Sequence, residues 1–219
     1  MNANKIFEKI CGEMIEKYLE NNPEFATFVG LHKPYDHLLP KGSTETLEKN
    51  LELEREWIER LCQTVKFNEL SDEHRIDWEL VQKFHRDSKF YFNELRMHEL
   101  NPDALNLLGS LIFVMFTRNY APLEKRVDAI GARLEKTPKY LEEFRSRFKN
   151  SHPIRLWTET ALETAQGVIG LLQFVLTATK DKVTVKTYNR LAAAVENLQP
   201  TFKMHIAWLQ SLLPTAEEE

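Results

Sequence analysis

Apolar residues recur at three- and four-residue steps along nearly the whole chain, and this periodicity constrains the fold more than any other feature. Ile6, Ile10, Met14 and Tyr18 begin it, with Phe7 and Ile15 widening the stripe. Side chains so spaced share one face of an α-helix, whereas a half-buried strand alternates at every second residue. Lys182 to Lys186 comes nearest to such alternation and is too short to matter. Glycine, which weakens helix interiors, occurs only 7 times in 219 residues. The expectation is an all-α fold: a multi-helix antiparallel bundle of about seven or eight helices, several of them long. Without a Gly/Ser linker or an internal repeat, residues 1–219 read as a single helical domain.

Prolines and capping residues place the elements. A first helix is expected from Ala3 to Glu20, stopped by Pro23, then a turn or two over Glu24–Val29 closed by Gly30. Ser43 or Thr44 caps a helix reaching Val65, with Leu47, Leu51, Trp57, Ile58 and Leu61 on its apolar face. Ser71 caps the next, with Asp72 and Glu73 where the helix dipole favours acid. That helix is expected to run to Glu99, with Ile76, Leu80, Phe84, Tyr91 and Leu95 as its apolar residues. Asn101-Pro102 breaks it, and 103–117, apolar on nearly every side, should be the most buried helix. Pro122 opens a helix expected to stop near Lys136, and Thr137-Pro138 reads as a cap that starts another, ending near Asn150. Pro153 begins a helix to Thr179. The segment 183–213 keeps one helical phase through Pro200, as a kinked continuous helix would. The tail 215–219 is expected to fray.

Apolar residues make up 42% and charged residues 28%, a globular composition. A net charge of -4 offers no basic field for a nucleic-acid backbone, and sign-alternating runs such as 52–60 suit a solvated helix face. Cys11 and Cys62 sit in apolar helical patterns, so two buried thiols in a reducing compartment are expected rather than a disulfide. The N-terminal twenty residues are amphipathic and acidic, unlike a secretory signal. The longest apolar runs, 107–116 and 167–178, fall short of the roughly 20 residues that span a bilayer. These features predict a cytoplasmic protein that binds neither membrane nor nucleic acid.

The seven histidines do not have the spacing of a metal site. A zincin needs His-Glu-x-x-His on one helix, and His98-Glu99 runs instead into Leu100, Asn101 and Pro102. A di-iron bundle needs Glu-x-x-His pairs, and no His here has Glu three residues before it. His74 and Asp77 share a face, but two ligands do not make a site, and His85 lies three turns away. His32 and His37 flank Tyr35 and Asp36 in the loop after Gly30, with Pro34 and Pro40 fixing its course. The loop reads as a packed connector more readily than as a substrate contact. The aromatic run Phe84, Phe90, Tyr91 and Phe92 with Met97 reads as core or interface. There is no Gly-rich phosphate loop and no Gly-x-Ser-x-Gly elbow. No catalytic, cofactor-binding or metal-binding residue is assigned, and no cofactor is expected.

Four segments, in order, resemble the bacterial and archaeal family known as domain of unknown function 885. NPEFATFVGLHKPYDHLLP (22–40) is similar to its N-terminal signature, and the helix from Asp77 to Asn101-Pro102 to its second region. RVDAIGARLEKTPKYLEEF (126–144) resembles its Arg…Arg-Leu…Pro-x-x-Leu segment, and Phe202–Pro214 its Trp-Leu…Leu-Leu-Pro helix. The resemblance covers almost the whole chain. It implies relatives more than twice as long, whose C-terminal half carries a His-Glu-x-x-His helix and is zinc-peptidase-like. No residue here matches those ligands or the general base, so none is carried over.

The expected role is therefore a non-catalytic N-terminal helical region of a metallopeptidase-like protein, not an enzyme on its own. It would wall a substrate groove or bind a separate or missing catalytic half. The alternative is a free-standing helical interaction module, a homodimer covering the same surface. An autonomous enzyme would require His32, His37, His74 or other polar groups to converge in a deep pocket.

Overall fold

The computed structural model describes residues 2–149 and 152–218. The chain forms α1 (Ala3–Asn21), α2 (Pro23–Phe28), α3 (Thr44–Thr64), α4 (Asp72–Asn93) and the single turn α5 (Met97–Leu100). It continues with α6 (Ala104–Thr117), α7 (Leu123–Arg145), α8 (Arg155–Thr179) and α9 (Val185–Leu212). Among the described residues no β-strand occurs, so the fold is all-α. Within the stretch that the sequence reads as one domain, the helices group into two compact units: Met1–Asn21 with Thr44–Met97, and Asn22–Ser43 with His98–Glu219.

In the first unit α3 packs against both α1 and α4. The Asn2 side chain accepts from the Lys5 amide at 3.0 Å and starts α1, and Ser71 caps α4 as expected. Phe7, Ile10, Leu61, Val65 and Leu70 form a small core, with Trp57, Trp78 and Val81 packed on it. Arg60 reaches Glu13 at 2.8 Å, and His74 reaches Glu8 at 3.0 Å.

The third long helix departs from its expected course in two ways. It ends at Asn93 instead of Glu99. The amides of Glu94 and Leu95 both turn to the Phe90 carbonyl, at 3.0 and 3.1 Å, and Arg96 takes a left-handed φ of 49°. Its expected apolar face, Ile76 to Leu95, is exposed, because Trp78 and Val81 on the other side meet the core.

In the second unit four helices close a ring: α6 packs on α7, α7 on α9, α9 on α8 and α8 on α6. Asp103 meets Thr164 near the start of α6, and Phe116 meets Phe174 near its end, so α6 and α8 run the same way. Glu124 meets Thr184, and Phe148 meets Trp208, so α7 and α9 do likewise. Two antiparallel hairpins, α6–α7 and α8–α9, thus lie side by side. Leu105, Leu108, Ile112, Ile130, Leu134, Leu172 and Leu198 fill the space between them. Each such side chain contributes roughly 1.5–3 kcal/mol by leaving water.

α7 passes through Pro138 without the expected break. The proline removes the amide that would bond Leu134, while the buried Thr137 hydroxyl donates to the Arg133 carbonyl at 3.1 Å. Leu134 and Leu141, both fully buried, anchor the helix on either side. α7 ends at Arg145 and a 3-10 turn follows over Ser146–Phe148; the end expected near Asn150 lies outside the described residues. α9 runs unbroken through Pro200, as its phase requires.

Over an 18-residue window, rather than an unbroken run, α8 is apolar enough to cross a membrane. Ala161, Ala165, Val168, Leu172 and Val175 bury one side of it in the bundle. The tail is held and not frayed as far as Glu218. The Glu217 amide donates to Pro153 O at 3.0 Å, Arg155 N to Glu217 O at 2.7 Å, and Arg155 Nε to Glu218 at 2.7 Å. Glu219 lies outside the described residues.

Candidate functional site

The loop after α2 folds onto α7 around a buried arginine. Pro23 opens α2, and Gly30, at φ 88°, turns the chain out of it in a conformation that disfavours side chains. The Tyr35 and Asp36 amides both return to the His32 carbonyl, at 3.0 and 2.9 Å, and point Asp36 inward. Arg133 projects from α7 into this curl with no exposed surface. Its Nε donates to Leu38 O at 2.9 Å, and Nη2 donates to Thr27 Oγ1 at 2.6 Å and Tyr35 O at 3.3 Å. Nη1 lies 3.0 Å from the Met115 sulfur.

Thr27 passes the bond on, donating to Asp36 Oδ1 at 2.8 Å. Tyr120 Oη donates to Asp36 Oδ2 at 2.5 Å, and His32 Nδ1 stands 3.1 Å from both carboxylate oxygens. The His32 ring stacks flat on Tyr120. Arg126, one heptad before Arg133, holds the turn that carries Tyr120: Nε donates to Ala121 O at 2.9 Å and Nη1 to Met115 O at 3.2 Å. Arg118 donates to Phe28 O at 2.9 Å, and Lys136 to His37 O.

Burial pulls the Arg133 guanidinium down to about 10, against the opposing charges of Asp36, Tyr120 and Glu24. Burial first, then the bond to Asp36, holds the Tyr120 phenol well above its ordinary range. Glu24 differs from the other members. Burial pushes its carboxyl up to about 7, against its own backbone hydrogen bond and Arg133, and its Oε2 is buried without a hydrogen-bond partner. Asp36 is engaged by three side chains and Arg133 by acceptors from three segments. Such groups are fixed in place, and the arrangement fastens the loop.

The loop ends in a second fastening. The Gly42 amide donates to Glu143 Oε2 at 2.8 Å, and Arg147 donates to the Gly42 carbonyl. A Cβ on Gly42 would stand 2.6 Å from Tyr140 O and 2.8 Å from Phe144 N. Gly42→Ala is therefore expected to cost about 1–3 kcal/mol in a denaturant titration, since backbone cannot yield as a side chain would. An unchanged midpoint would contradict this packing.

The other residues singled out in the sequence scatter. His37 offers only its carbonyl, its side chain being exposed. His74 belongs to the first unit, 2.9 Å from Ser71 Oγ and edge-on to Phe7. His85 pairs with Glu54 at 3.4 Å, and His98 with Glu99 at 3.6 Å. Both cysteines are free; contrary to expectation Cys11 is only half-buried and Cys62 is exposed, its sulfur accepting from Gln82 Nε2 on α4 at 3.4 Å. Burial, then the charge of Asp77, pushes the Cys11 thiol up to about 11. Among the described residues no three His, Cys, Asp or Glu side chains group to hold a metal.

Sequence reasoning missed Arg126, Arg133, Tyr120, Glu24 and His205. His205 is fully buried on α9, tilted against Trp208 at 5.1 Å, with neither ring nitrogen bonded. Burial, then the Arg145 charge, pulls it down to about 4. The usable signal was polar residues on apolar stripes: Arg133 between Ile130 and Leu134, and His205 between Phe202 and Leu209.

Two of the four segments behind the family resemblance meet in this fastening: Ala26-Thr27, Gly30-Leu31-His32 and Tyr35-Asp36 from the first, Arg126 and Arg133-Leu134 from the third. A family model described as "Bacterial protein of unknown function (DUF885)" matches residues 23–219. The chain belongs to the DUF885 family. The DUF885 region matched starts at Pro23, the first residue of α2. A solved structure from Shewanella oneidensis, described as a putative lipoprotein of unknown function, is similar to this DUF885 chain with a TM-score of 0.83 at 20% identity. The match covers 95% of this chain and 38% of that one, and shows a shared fold. No curated protein matches the chain.

Proposed function

We propose that this chain is a non-catalytic helical region of a metallopeptidase-like protein, serving as scaffold or as one wall of a substrate groove beside a separate catalytic half. The interlocked Asp36–Thr27–Arg133 fastening carries this reading, because its polar groups are committed to holding the loop. Membership of DUF885 and the 38% share of the Shewanella chain support a part of something larger. The test is peptide hydrolysis by the purified chain with added zinc. Turnover no greater than a protein-free blank is expected, and turnover that a chelator abolishes would sink the reading.

A second reading, a free-standing helical interaction module that forms a homodimer, is favoured by the large apolar side chains exposed along α4. Under either reading we place the chain in the cytoplasm, where the exposed free thiol of Cys62 stays reduced. Fractionation of cells expressing it checks this, and recovery outside the cytoplasmic fraction would overturn it.

A further inference from the structure

The first unit brings a serine, a histidine and a carboxylate into one hydrogen-bonded line. Leu70, buried just after the 3-10 turn Phe67–Glu69, anchors the chain, and Ser71 follows in extended backbone as the N-cap of α4. Its amide donates to Asn4 Oδ1 on α1 at 3.1 Å, which fixes the residue while its side chain stays exposed. His74 lies three residues on, and its ring leans back over the first turn of the helix. His74 Nδ1 stands 2.9 Å from Ser71 Oγ, and Nε2 stands 3.0 Å from Glu8 Oε1. Glu8 follows Asn4 by one turn of α1, so one face of that helix holds both the serine and the histidine. Phe7 meets the ring edge-on at 5.4 Å, and the His74 side chain is 16% exposed.

A helix cap needs only the Ser71 oxygen, as acceptor for the His74 amide, here at 3.4 Å. The imidazole adds a direction. An ionised carboxylate only accepts, so Nε2 carries the ring proton toward Glu8 and Nδ1 keeps its lone pair. The Ser71 hydroxyl therefore donates to Nδ1. A hydroxyl that donates to an imidazole, itself oriented by a carboxylate, is the arrangement that makes serine a nucleophile. The Asp72 and Glu73 amides open α4 without intrahelical partners, and the amide after a nucleophilic serine is a common donor to the developing oxyanion. Glu8, Asp72 and Glu73 place negative charge around the serine, which turns away anionic substrates and favours a neutral one.

We propose that Ser71 is an activated nucleophile that hydrolyses small neutral esters, with His74 as its base and Glu8 as the positioning residue. Ser71 Oγ attacks the acyl carbon, and its proton passes to His74 Nδ1. The bond to the leaving alcohol breaks, and the alcohol departs with that proton. Water then attacks the acyl-serine; His74 takes the water's proton and returns it to Ser71 Oγ as the acid leaves. The chemistry uses no metal. It goes beyond the scaffold reading, which concerns zinc-dependent peptide hydrolysis: its failure leaves that reading standing, and its success confines the term non-catalytic to peptides.

The test is hydrolysis of p-nitrophenyl acetate by the full chain in excess chelator, on a Cys62→Ser background because the exposed thiol also attacks this ester. Ser71→Asn caps a helix about as well as serine and has no hydroxyl to acylate. It should lose roughly tenfold or more of the turnover, as should His74→Gln, with the far-ultraviolet circular dichroism unchanged. Glu8→Gln should lower kcat several-fold at constant KM, a split that a merely structural contact would not produce. A fluorophosphonate, which gives up fluoride to an activated serine, should modify Ser71 in the parent chain and fail to do so in His74→Gln. Turnover by Ser71→Asn equal to the parent's, or a parent Ser71 that the fluorophosphonate leaves unmodified, would overturn the proposal.

Discussion

Arg133→Ala is expected to destabilise the chain by about 3–5 kcal/mol, the range for breaking a buried, hydrogen-bonded charge pair. The substitution strips Thr27, Leu38 and Tyr35 of a donor at once and leaves the buried Asp36 carboxylate without the guanidinium that balances it. The loss should be partly recovered in Arg133→Met combined with Asp36→Asn, where neither charge remains to be compensated. Urea titrations of Arg133→Met, Asp36→Asn and the pair give the coupling directly. A single-variant loss below about 1 kcal/mol would mean that the fastening is ornamental and that the surrounding leucines hold the loop unaided.

The second large effect is hidden in the wild type. Glu24 titrates in the fold near 7, against an ordinary value of 4.5, so the unfolded chain ionises first and stability falls as pH rises from about 4.5 to about 7. His205 titrates in the fold near 4, against an ordinary 6.5, so the unfolded chain takes up its proton first and stability falls as pH drops from about 6.5 to about 4. Each interval is worth about 3 kcal/mol. Both groups lie in the same unit, and over the shared range their slopes oppose and nearly cancel. Glu24→Gln should therefore expose a loss on acidification, and His205→Leu a loss on raising the pH. The leucine should also relieve two unbonded ring nitrogens, a gain of about 1–3 kcal/mol. Melting each variant beside the wild type between pH 4 and 7.5 reads this out, and profiles parallel to the wild type would refute it.

These two predictions rest on residues that periodicity hides. Spacing locates α1, α3, α8 and α9 because an apolar stripe meeting a core is a local property of the sequence. It places Arg133 and His205 on the core faces of α7 and α9 but says nothing of what they meet: the partners of Arg133 in α2 and the loop after it lie 95 to 106 residues away. α4 misleads for a related reason. Its stripe from Ile76 to Tyr91 is as regular as any in the chain, yet the core takes the opposite side. One stripe cannot be told from the other until a neighbouring helix chooses. Thr137-Pro138 carries a strong start signal, and the burial of Leu134 and Leu141 on either side overrides it. The family was legible through the order of short motifs, and the fold gives that order a reason, since the loop signature and the Arg…Arg-Leu segment are two sides of one contact.

The two units are threaded through each other along the sequence, since residues 22–43 belong with 98–219 while the segments on either side of them belong elsewhere. A ribosome therefore delivers the halves of the fastening far apart in time. Tyr120 follows Asp36 by 84 residues and Arg133 follows Thr27 by 106. At about 5–20 residues per second the Asp36 curl waits roughly 4 to 17 s for its first cross-chain donor. During that wait α1, α3 and α4 are complete and can assemble around an unclosed excursion. A cut after Met97 would make the delay permanent, leaving a three-helix fragment with a dangling loop. Neither unit can be excised as one continuous piece of chain.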